Sequence, residues 1–348
     1  MKKIIILSAF NVHTGGGYVL LSALLKINKI KKFLLDNRIK KKLKLNNNKF
    51  VFIKRKILDR LFLFHKNILK KDYTHLICFN NLPPIIKLNA KVILFIQTFY
   101  FFSNISNYNF NLYTFLRIHF EKIWFRIGIR NVDEIWIQTP TMKKRLIKYL
   151  KKINLKKKLI IKEVPLSDNK LLSLLNRKKK FKKIGLKKNN FFYPADGSGH
   201  KNHERLIIAF SKIKKPFKLY LTLDDKSFER LVTKKHIKNK KNFINLNNLT
   251  REKVLDIYQT KINALIFPSL DESFGIPLIE ACVYNKDILV SNRRYSRDLI
   301  QNAIYFNPQN IRSIKISINK YLSGRKFQKP KIKKGFKFLS PKEFINKL

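Results

Sequence analysis

The sequence predicts an α/β protein of two doubly wound parallel-sheet domains. Three observations carry this. Short apolar runs alternate with amphipathic stretches along the whole chain, the pattern of strands joined by crossover helices. At 348 residues the chain is long for one core and ample for two. A polar, lysine-rich stretch at 165–189 interrupts the series near its middle and reads as a linker.

In the first half, strands are expected near 3–8, 50–53, 74–79, 91–97, 134–137 and 158–163, with helices near 16–27, 57–69, 110–130 and 140–151. The opening MKKIIILSAF has the basic start of a secretory leader. Its apolar run is short, however, and no small-residue cleavage site follows, so it reads as the first strand. The loop NVHTGGGYVL (11–20) comes next, and its glycines Gly15, Gly16 and Gly17 permit positive φ and close approach to a phosphate or sugar at a helix start. A plain structural turn is the simpler reading of this loop. It is not a G-x-G-x-x-G fingerprint.

In the second half, strands are expected near 190–194, 217–222, 243–245, 263–267 and 287–290, with helices near 203–212, 250–260 and 277–284. The terminal PKEFINKL (341–348) reads as a last helix. No run approaches about 18 uninterrupted apolar residues, so no bilayer-spanning helix is expected.

Composition narrows the function classes. Two cysteines, Cys78 and Cys282, far apart and without metal-ligand neighbours, imply reduced thiols in the cytosol and no disulfide framework. Lys and Arg number 76 against 21 acids, a net charge of +55 that favours polyanionic partners. The charge is spread along the chain, with runs at 40–44, 151–158 and 178–188, which suits a general surface potential better than a nucleic-acid groove. No paired Cys/His finger and no aromatic RNA-binding motif occurs, so no specific nucleic acid is expected.

FPSLDESFGIPLIEA (267–281) is the most informative stretch. The preceding run through Ala264 and Phe267 reads as a buried parallel strand, and Pro268 ends its ladder. Ser273, Phe274 and Gly275 form a tight turn, and Pro277 suits the first position of a helix. Free N–H groups and the positive end of a helix at a sheet's carboxyl edge seat a phosphate. Glu280 reads as a first-turn carboxylate able to accept hydrogen bonds from a ribose diol. Glu272, just before the helix, faces what lies beyond the phosphates. By themselves the two acids read equally as a solvated loop acid and a helix-dipole partner.

This segment resembles the Glu-x7-Glu signature of retaining GT-B glycosyltransferases, specifically glycosyltransferase family 4. FFYPADGSGHKNHERLIIAF (191–210) resembles that family's strand, glycine-containing loop and HKN helix start. ILVSNRRYSRDLIQNAIYFNP (288–308) is similar to its strand-loop-strand, and DEIWIQTPTMKKRL (133–146) to its last N-domain strand and the helix after it.

The resemblance implies two Rossmann-like domains facing a cleft. Residues 1–165 would form the acceptor side, joined by a returning helix at 338–348, and 166–337 the nucleotide-sugar donor side. It implies sugar transfer with retention, from a nucleoside-diphosphate sugar to a glycan or lipid-linked acceptor, in surface polysaccharide or lipopolysaccharide synthesis. Glu272 and Lys201 take the catalytic places. Glu280, Ser273, Phe274, Gly275, Ile276 and His200 take donor-binding places, and Gly15, Gly16, Gly17 and Gln97 line the acceptor side. No metal and no cofactor is expected.

Two departures stand out. Asp196 replaces a frequent arginine, leaving His200 or Arg205 to supply that cation. Gln97, with Thr98, replaces a frequent histidine. These departures keep two alternatives open: a catalytically silent GT-B protein that binds glycan or scaffolds a membrane, and a non-transferase GT-B enzyme such as a nucleotide-sugar epimerase. Basic, aromatic-rich helices at 55–71 and 110–128 are expected to lie on an anionic membrane surface, at the inner face of the cell membrane.

Overall fold

The computed structural model describes residues 3–43, 48–54, 56–69, 72–108, 110–176, 189–233, 237 and 239–348. The lysine run at 178–188, about half of the expected linker and the ends of the expected helix 55–71 lie outside them. The chain divides into two compact units.

Unit one comprises Met1–Ile105, Asn111–Asn169 and Lys337–Leu348. Its strands are β1 (Ile5–Ala9), β2 (Ile30–Asp36), β3 (Phe50–Ile53), β4 (His75–Cys78), β5 (Lys91–Phe95), β6 (Glu134–Ile137) and β7 (Ile160–Glu163). They form one parallel sheet in the order β3-β2-β1-β4-β5-β6-β7, the doubly wound arrangement. Connecting helices are α1 (Gly15–Leu24), the short α2 (Lys40–Leu43), α3 (Ile57–Ile68), α4 (Leu112–Gly128) and α5 (Pro140–Lys152). β1, β4, β5 and β6 are buried nearly throughout because helices cover both sheet faces. α5 starts where Thr139 accepts from the Met142 N–H and Pro140 occupies the first turn, whose N–H groups need no helical partner.

Unit two comprises Lys170–Phe336 and also takes in Ser106–Phe110. Here α6 (Asn169–Leu175) leads to β8 (Asn190–Tyr193), α7 (His203–Ser211), β9 (Lys218–Leu221), α8 (Asp225–Phe228), β10 (Phe243–Asn245), α9 (Arg251–Thr260) and β11 (Ala264–Phe267). Then follow α10 (Ile276–Val283), β12 (Asp287–Ser291), α11 (Arg294–Leu299), β13 (Ile300–Gln301), β14 (Ile304–Phe306), α12 (Ile311–Leu322) and β15 (Lys331–Ile332). The parallel sheet runs β10-β9-β8-β11-β12-β14, and β13 pairs with β15 in a small antiparallel ladder.

After unit two the chain rejoins unit one. Leu339 bridges Leu166, and α13 (Pro341–Asn346) begins with a capping box between Ser340 and Glu343. Phe344 of α13 stands edge-on to Phe79, Phe95 and Trp136, with centroids 6.4, 5.1 and 4.9 Å away. Losing so buried a ring costs about 3–5 kcal/mol, so this helix belongs to the core of unit one. The sequence reading omitted β2, α6, α11 and α12. Both cysteines are free thiols, Cys78 fully buried.

Candidate functional site

The candidate donor site forms at the carboxyl edge of the unit-two sheet. β11 lies between β8 and β12, all four of its residues buried, and the chain leaves it through Pro268. Gly275 caps α10 with φ +103, a conformation that favours glycine, and a Cβ there would stand 3.2 Å from Leu299 Cδ1. No side chain caps this helix start; Pro277 has no N–H and the Leu278 N–H donates to the Gly275 carbonyl at 3.0 Å, which leaves the Gly275 and Ile276 N–H groups as those a ligand would meet. Phe274 is buried before it, its ring 6.1 Å from that of Phe336, and Ile276 opens the helix. Ser273 is half-buried. Pro277 stands in the first turn, but Glu280 lies in the second and not in the first as its spacing suggested.

The turn before α7 brings Lys201 to this edge. Its Nζ donates to Glu272 Oε1 at 2.7 Å, with both side chains mostly shielded from solvent. Burial disfavours the ammonium, but Glu272 and Asp196 outweigh it and hold its pKa above the usual lysine range. The backbone beneath is fixed by a hydroxyl network. Tyr193 Oη donates to the Lys201 carbonyl at 2.8 Å and lies 2.9 Å from Ser269 Oγ, while Tyr295 Oη donates to the Ser269 carbonyl at 3.0 Å. Asn202, at φ +60, donates to the carbonyls of Pro268 (3.1 Å) and Pro308 (2.8 Å), tying the HKN turn to the end of β11.

Of the two residues suggested in place of the usual arginine, His200 supplies no cation, and Arg205 keeps its charge but is tied to the Asn202 amide. His200 is buried, and burial with the adjacent Lys201 pushes its pKa well below the ordinary value, so it is neutral at pH 7. Its carbonyl accepts from the Leu270 N–H at 2.8 Å. Arg205 donates to Asn202 Oδ1 at 3.0 Å. Asp196 is exposed and accepts from the Ser198 N–H at 2.9 Å.

Glu280 is 1% exposed and is paired with Arg251, the first residue of α9. Glu272 and Glu280 thus belong to separate ion pairs, one to the turn before α7 and one to the first residue of α9. Arg251, Tyr193, Tyr295 and Asn202 escaped the sequence reading. So did Tyr108, which donates to Asp271 Oδ2 at 3.3 Å. Tyr193 and Asn202 lie within the matched stretch 191–210 and Tyr295 within 288–308, but only the partners that the fold brings to them reveal what they do.

In unit one, Gly15 takes φ +64 at the start of α1, and Gly15 and Gly16 are exposed. A Cβ on Gly17 would lie 3.3 Å from Gln97 Oε1, so the turn and Gln97 meet. Gln97 Nε2 donates to the Phe79 carbonyl at 2.6 Å, and the Gln97 and Thr98 N–H groups both donate to Asn81 Oδ1. Asn80 is fully buried, and neither side-chain amide atom has a partner. Among the described residues, no group of three or more His, Cys, Asp or Glu is placed to hold a metal ion, and no helix is long and apolar enough to cross a membrane.

Residues 176–338 match the family model of glycosyl transferases group 1. The matched segment includes Lys201, Arg251, Glu272 and Glu280. Over 88 residues the chain is 34% identical to the O-antigen chain mannosyltransferase RfbU of Salmonella typhimurium. The match spans 25% of this chain and 24% of that protein, about a quarter of the curated relative's length.

Three solved structures share the architecture over most of their length. Sucrose-phosphate synthase from Thermosynechococcus elongatus superposes with a TM-score of 0.67 at 15% identity, covering 92% of this chain and 90% of that one. Anabaena HepE in complex with UDP and glucose gives 0.63 at 13%, covering 91% and 89%. The lipopolysaccharide outer core galactosyltransferase WaaB gives 0.57 at 12%, covering 99% and 94%. The fold is GT-B.

Proposed function

We propose that this protein is a retaining glycosyltransferase of family 4. It would move a sugar from a nucleoside-diphosphate sugar to a glycan or lipid-linked acceptor, in lipopolysaccharide or surface polysaccharide synthesis. The observation that carries the reading is the Lys201–Glu272 ion pair at 2.7 Å in the segment that matches the group 1 model, whose α10 start is uncapped. The similarities to an O-antigen mannosyltransferase and to an outer core galactosyltransferase support the acceptor class.

In this mechanism the N–H groups at the start of α10 and the Lys201 ammonium receive the donor diphosphate, Glu280 the ribose diol and Glu272 the sugar. The bond from the anomeric carbon to the diphosphate oxygen breaks as the acceptor oxygen bonds from the same face. The acceptor's proton passes to the departing phosphate. Negative charge develops on the diphosphate in the transition state, and each preorganised donor aimed at it is typically worth about 3 kcal/mol. Lys201 enters the reaction as a full cation because its carboxylate neighbours keep it protonated. No metal takes part in this scheme. Gln97 and the Gly15–Gly17 turn would face the acceptor from unit one.

We place the enzyme at the cytoplasmic face of the membrane, held by α3 and α4. These helices bury Phe64, Ile68, Ile118, Trp124 and Phe125 in unit one. Each also carries a second apolar stripe at helical spacing that faces solvent: Leu58, Phe62 and Leu69 along and just past α3, and Leu112, Leu116, Ile123 and Ile127 on α4. Their exposure runs from 52% at Ile127 to 75% at Leu58. Apolar side chains beside lysines and arginines, on a chain of net charge +55, suit an anionic headgroup layer.

The test is a thermal-shift screen of nucleotide sugars, followed by transfer to a lipid-linked acceptor with the anomeric configuration of the product read by NMR. A donor at 100 times its dissociation constant stabilises by about 2.7 kcal/mol. No stabilisation by any nucleotide sugar, or an inverted product, would overturn the reading.

A further inference from the structure

A cluster of charges in unit one plays no part in the mechanism above. β2 ends on Asp36, fully buried at the carboxyl edge of the sheet. Its carboxylate accepts from the Arg38 backbone N–H (2.9 Å), Nε (2.8 Å) and Nη2 (2.7 Å). Nη2 of Arg60, from the start of α3, is 3.4 Å from the same carboxylate. Arg60 is 4% exposed, and its Nε has no hydrogen-bond partner. On α4, Arg117 Nη1 donates to the buried Glu121 at 2.7 Å.

The packing explains why these groups converge. Phe10, the residue after β1, packs its ring at a tilt 5.1 Å from Phe64 and 5.9 Å from Trp124, drawing α3 and α4 to the end of β1. Arg60 precedes Phe64, and Glu121 precedes Trp124, by one helical turn, so both reach the same edge as Asp36. His13 shares this environment, since burial and the Arg38 charge keep its pKa below the ordinary imidazole value, with Arg60 contributing. Gly15 and Gly16 lie exposed two and three residues further on.

Three guanidiniums face two carboxylates here. A buried guanidinium N–H without an acceptor is unfavourable, and an excess of positive charge at a poorly solvated edge favours a bound anion. Arg38 is about one-third exposed at the side chain, which leaves a way in. We propose that Arg38 and Arg60, beside the Gly15–Gly17 turn, receive a phosphoryl group carried by the acceptor, so that this enzyme's acceptor substrates are phosphorylated. A phosphoryl group has the oxygens to meet several such donors at once, and the planar fork of arginine suits it. The proposal rests on the reading of unit one as the acceptor side.

Calorimetric titration of the full chain with inorganic phosphate and with glucose 1-phosphate tests it, using Arg38→Gln, Arg60→Lys and, as a donor-domain control, Lys201→Ala. The expected result is saturable binding by wild type and Lys201→Ala, weakened about tenfold or more in both arginine variants. Arg38→Gln carries the test alone if Arg60→Lys does not fold. Undiminished binding in Arg38→Gln, or loss only in Lys201→Ala, overturns the proposal. Sedimentation with phosphatidylglycerol vesicles separates a lipid headgroup from an acceptor. If Arg38→Gln releases the protein from vesicles yet keeps its affinity for glucose 1-phosphate, the headgroup is the ligand and the proposal fails. Nucleoside-diphosphate binding is measured in parallel, so failure of the glycosyltransferase reading shows as its absence from wild type, whatever the phosphate result.

Discussion

The Nζ of Lys201 and the Oε1 of Glu272 stand 2.7 Å apart although 71 residues separate them in the chain. Lys201 comes from the turn that ends β8's connection to α7, and Glu272 from the loop between β11 and α10. Adjacent parallel strands β8 and β11 deliver both loops to one edge. The pair therefore reflects strand order and cannot be inferred from local sequence.

A mutant cycle on this pair separates stability from chemistry. Lys201→Ala leaves Glu272 buried without its cation, and an uncompensated buried acceptor costs on the order of 1–3 kcal/mol. Glu272→Gln removes that charge, so the double variant should recover part of the stability in urea unfolding. Donor affinity should not recover, since in the proposed mechanism the ammonium meets the diphosphate, and it should stay about tenfold or more below wild type by calorimetry. Glu272→Gln alone should damage turnover more than nucleoside-diphosphate affinity. Equal loss of both in that variant would contradict the division of roles.

Arg251 gives a second test of the same kind. Glu280 is almost fully enclosed, and Arg251 neutralises it. Removing one partner of a buried ion pair costs about 3–5 kcal/mol, because the other charge stays behind. Arg251→Ala should therefore destabilise unit two more than Glu280→Gln, whose remaining partner is the less enclosed of the two. Both should weaken donor binding if the carboxylate reads the ribose. Urea unfolding and donor titration check the order. Wild-type affinity in Glu280→Gln would remove Glu280 from the donor site.

The legibility of this fold varies with local physics. Fully buried strands such as β11, and helices with a clear cap such as α5, were readable because burial and capping leave a sequence trace. β2 was missed because Lys31 and Lys32 interrupt its apolar run at the exposed start of the strand. α12 hides for the opposite reason. Ile314, Ile316 and Ile318 alternate as in a strand, yet the structure buries Ile314, Ser317, Ile318 and Tyr321 at helical spacing and leaves Ile316 exposed. At the site, the turn chemistry of Ser273–Gly275 was readable. The partners of Glu272 and Glu280 were not, because parallel crossovers supply them from distant segments. The observed helix opens one residue before the expected 277, at Ile276, which moves Glu280 just into the second turn.

His203 sets a pH window for unit two. Burial lowers its pKa to about 4, against the opposing hydrogen bond its Nε2 donates to the Asp196 carbonyl at 2.8 Å. A histidine free in the unfolded chain titrates near 6.5. The unfolded state therefore binds the proton first as pH falls. Stability is intact above 6.5 and is lost progressively between 6.5 and 4, by about 3 kcal/mol at the lower limit. His203→Gln should reduce the slope of that part of the stability profile, with His200, also held below its ordinary pKa by burial, supplying what remains, and leave the alkaline side unchanged. Chemical denaturation across pH 4–8 measures it, and an unchanged slope in the variant would show that the imidazole is not the titrating group.

The two exposed stripes on α3 and α4 make the membrane assignment testable residue by residue. Phe62 and Leu116 are 67% and 57% exposed, so a glutamate at either place costs the folded chain little. In a headgroup layer the same substitution exchanges buried apolar area, about 25 cal/mol per Å², for a charge repelled by anionic lipid. Phe62→Glu and Leu116→Glu should each lower recovery on phosphatidylglycerol vesicles at low salt, and together nearly abolish it, with donor binding unchanged. Lysine substitutions at the same positions keep the electrostatic attraction while losing the apolar contact, so their loss should be smaller. The basic surface adds a screened component, and wild-type recovery should fall as salt rises past the range where the Debye length shrinks to about 8 Å. Full recovery of the double glutamate variant on anionic vesicles would mean that these helices serve some other contact, and that charge alone holds the protein at the surface.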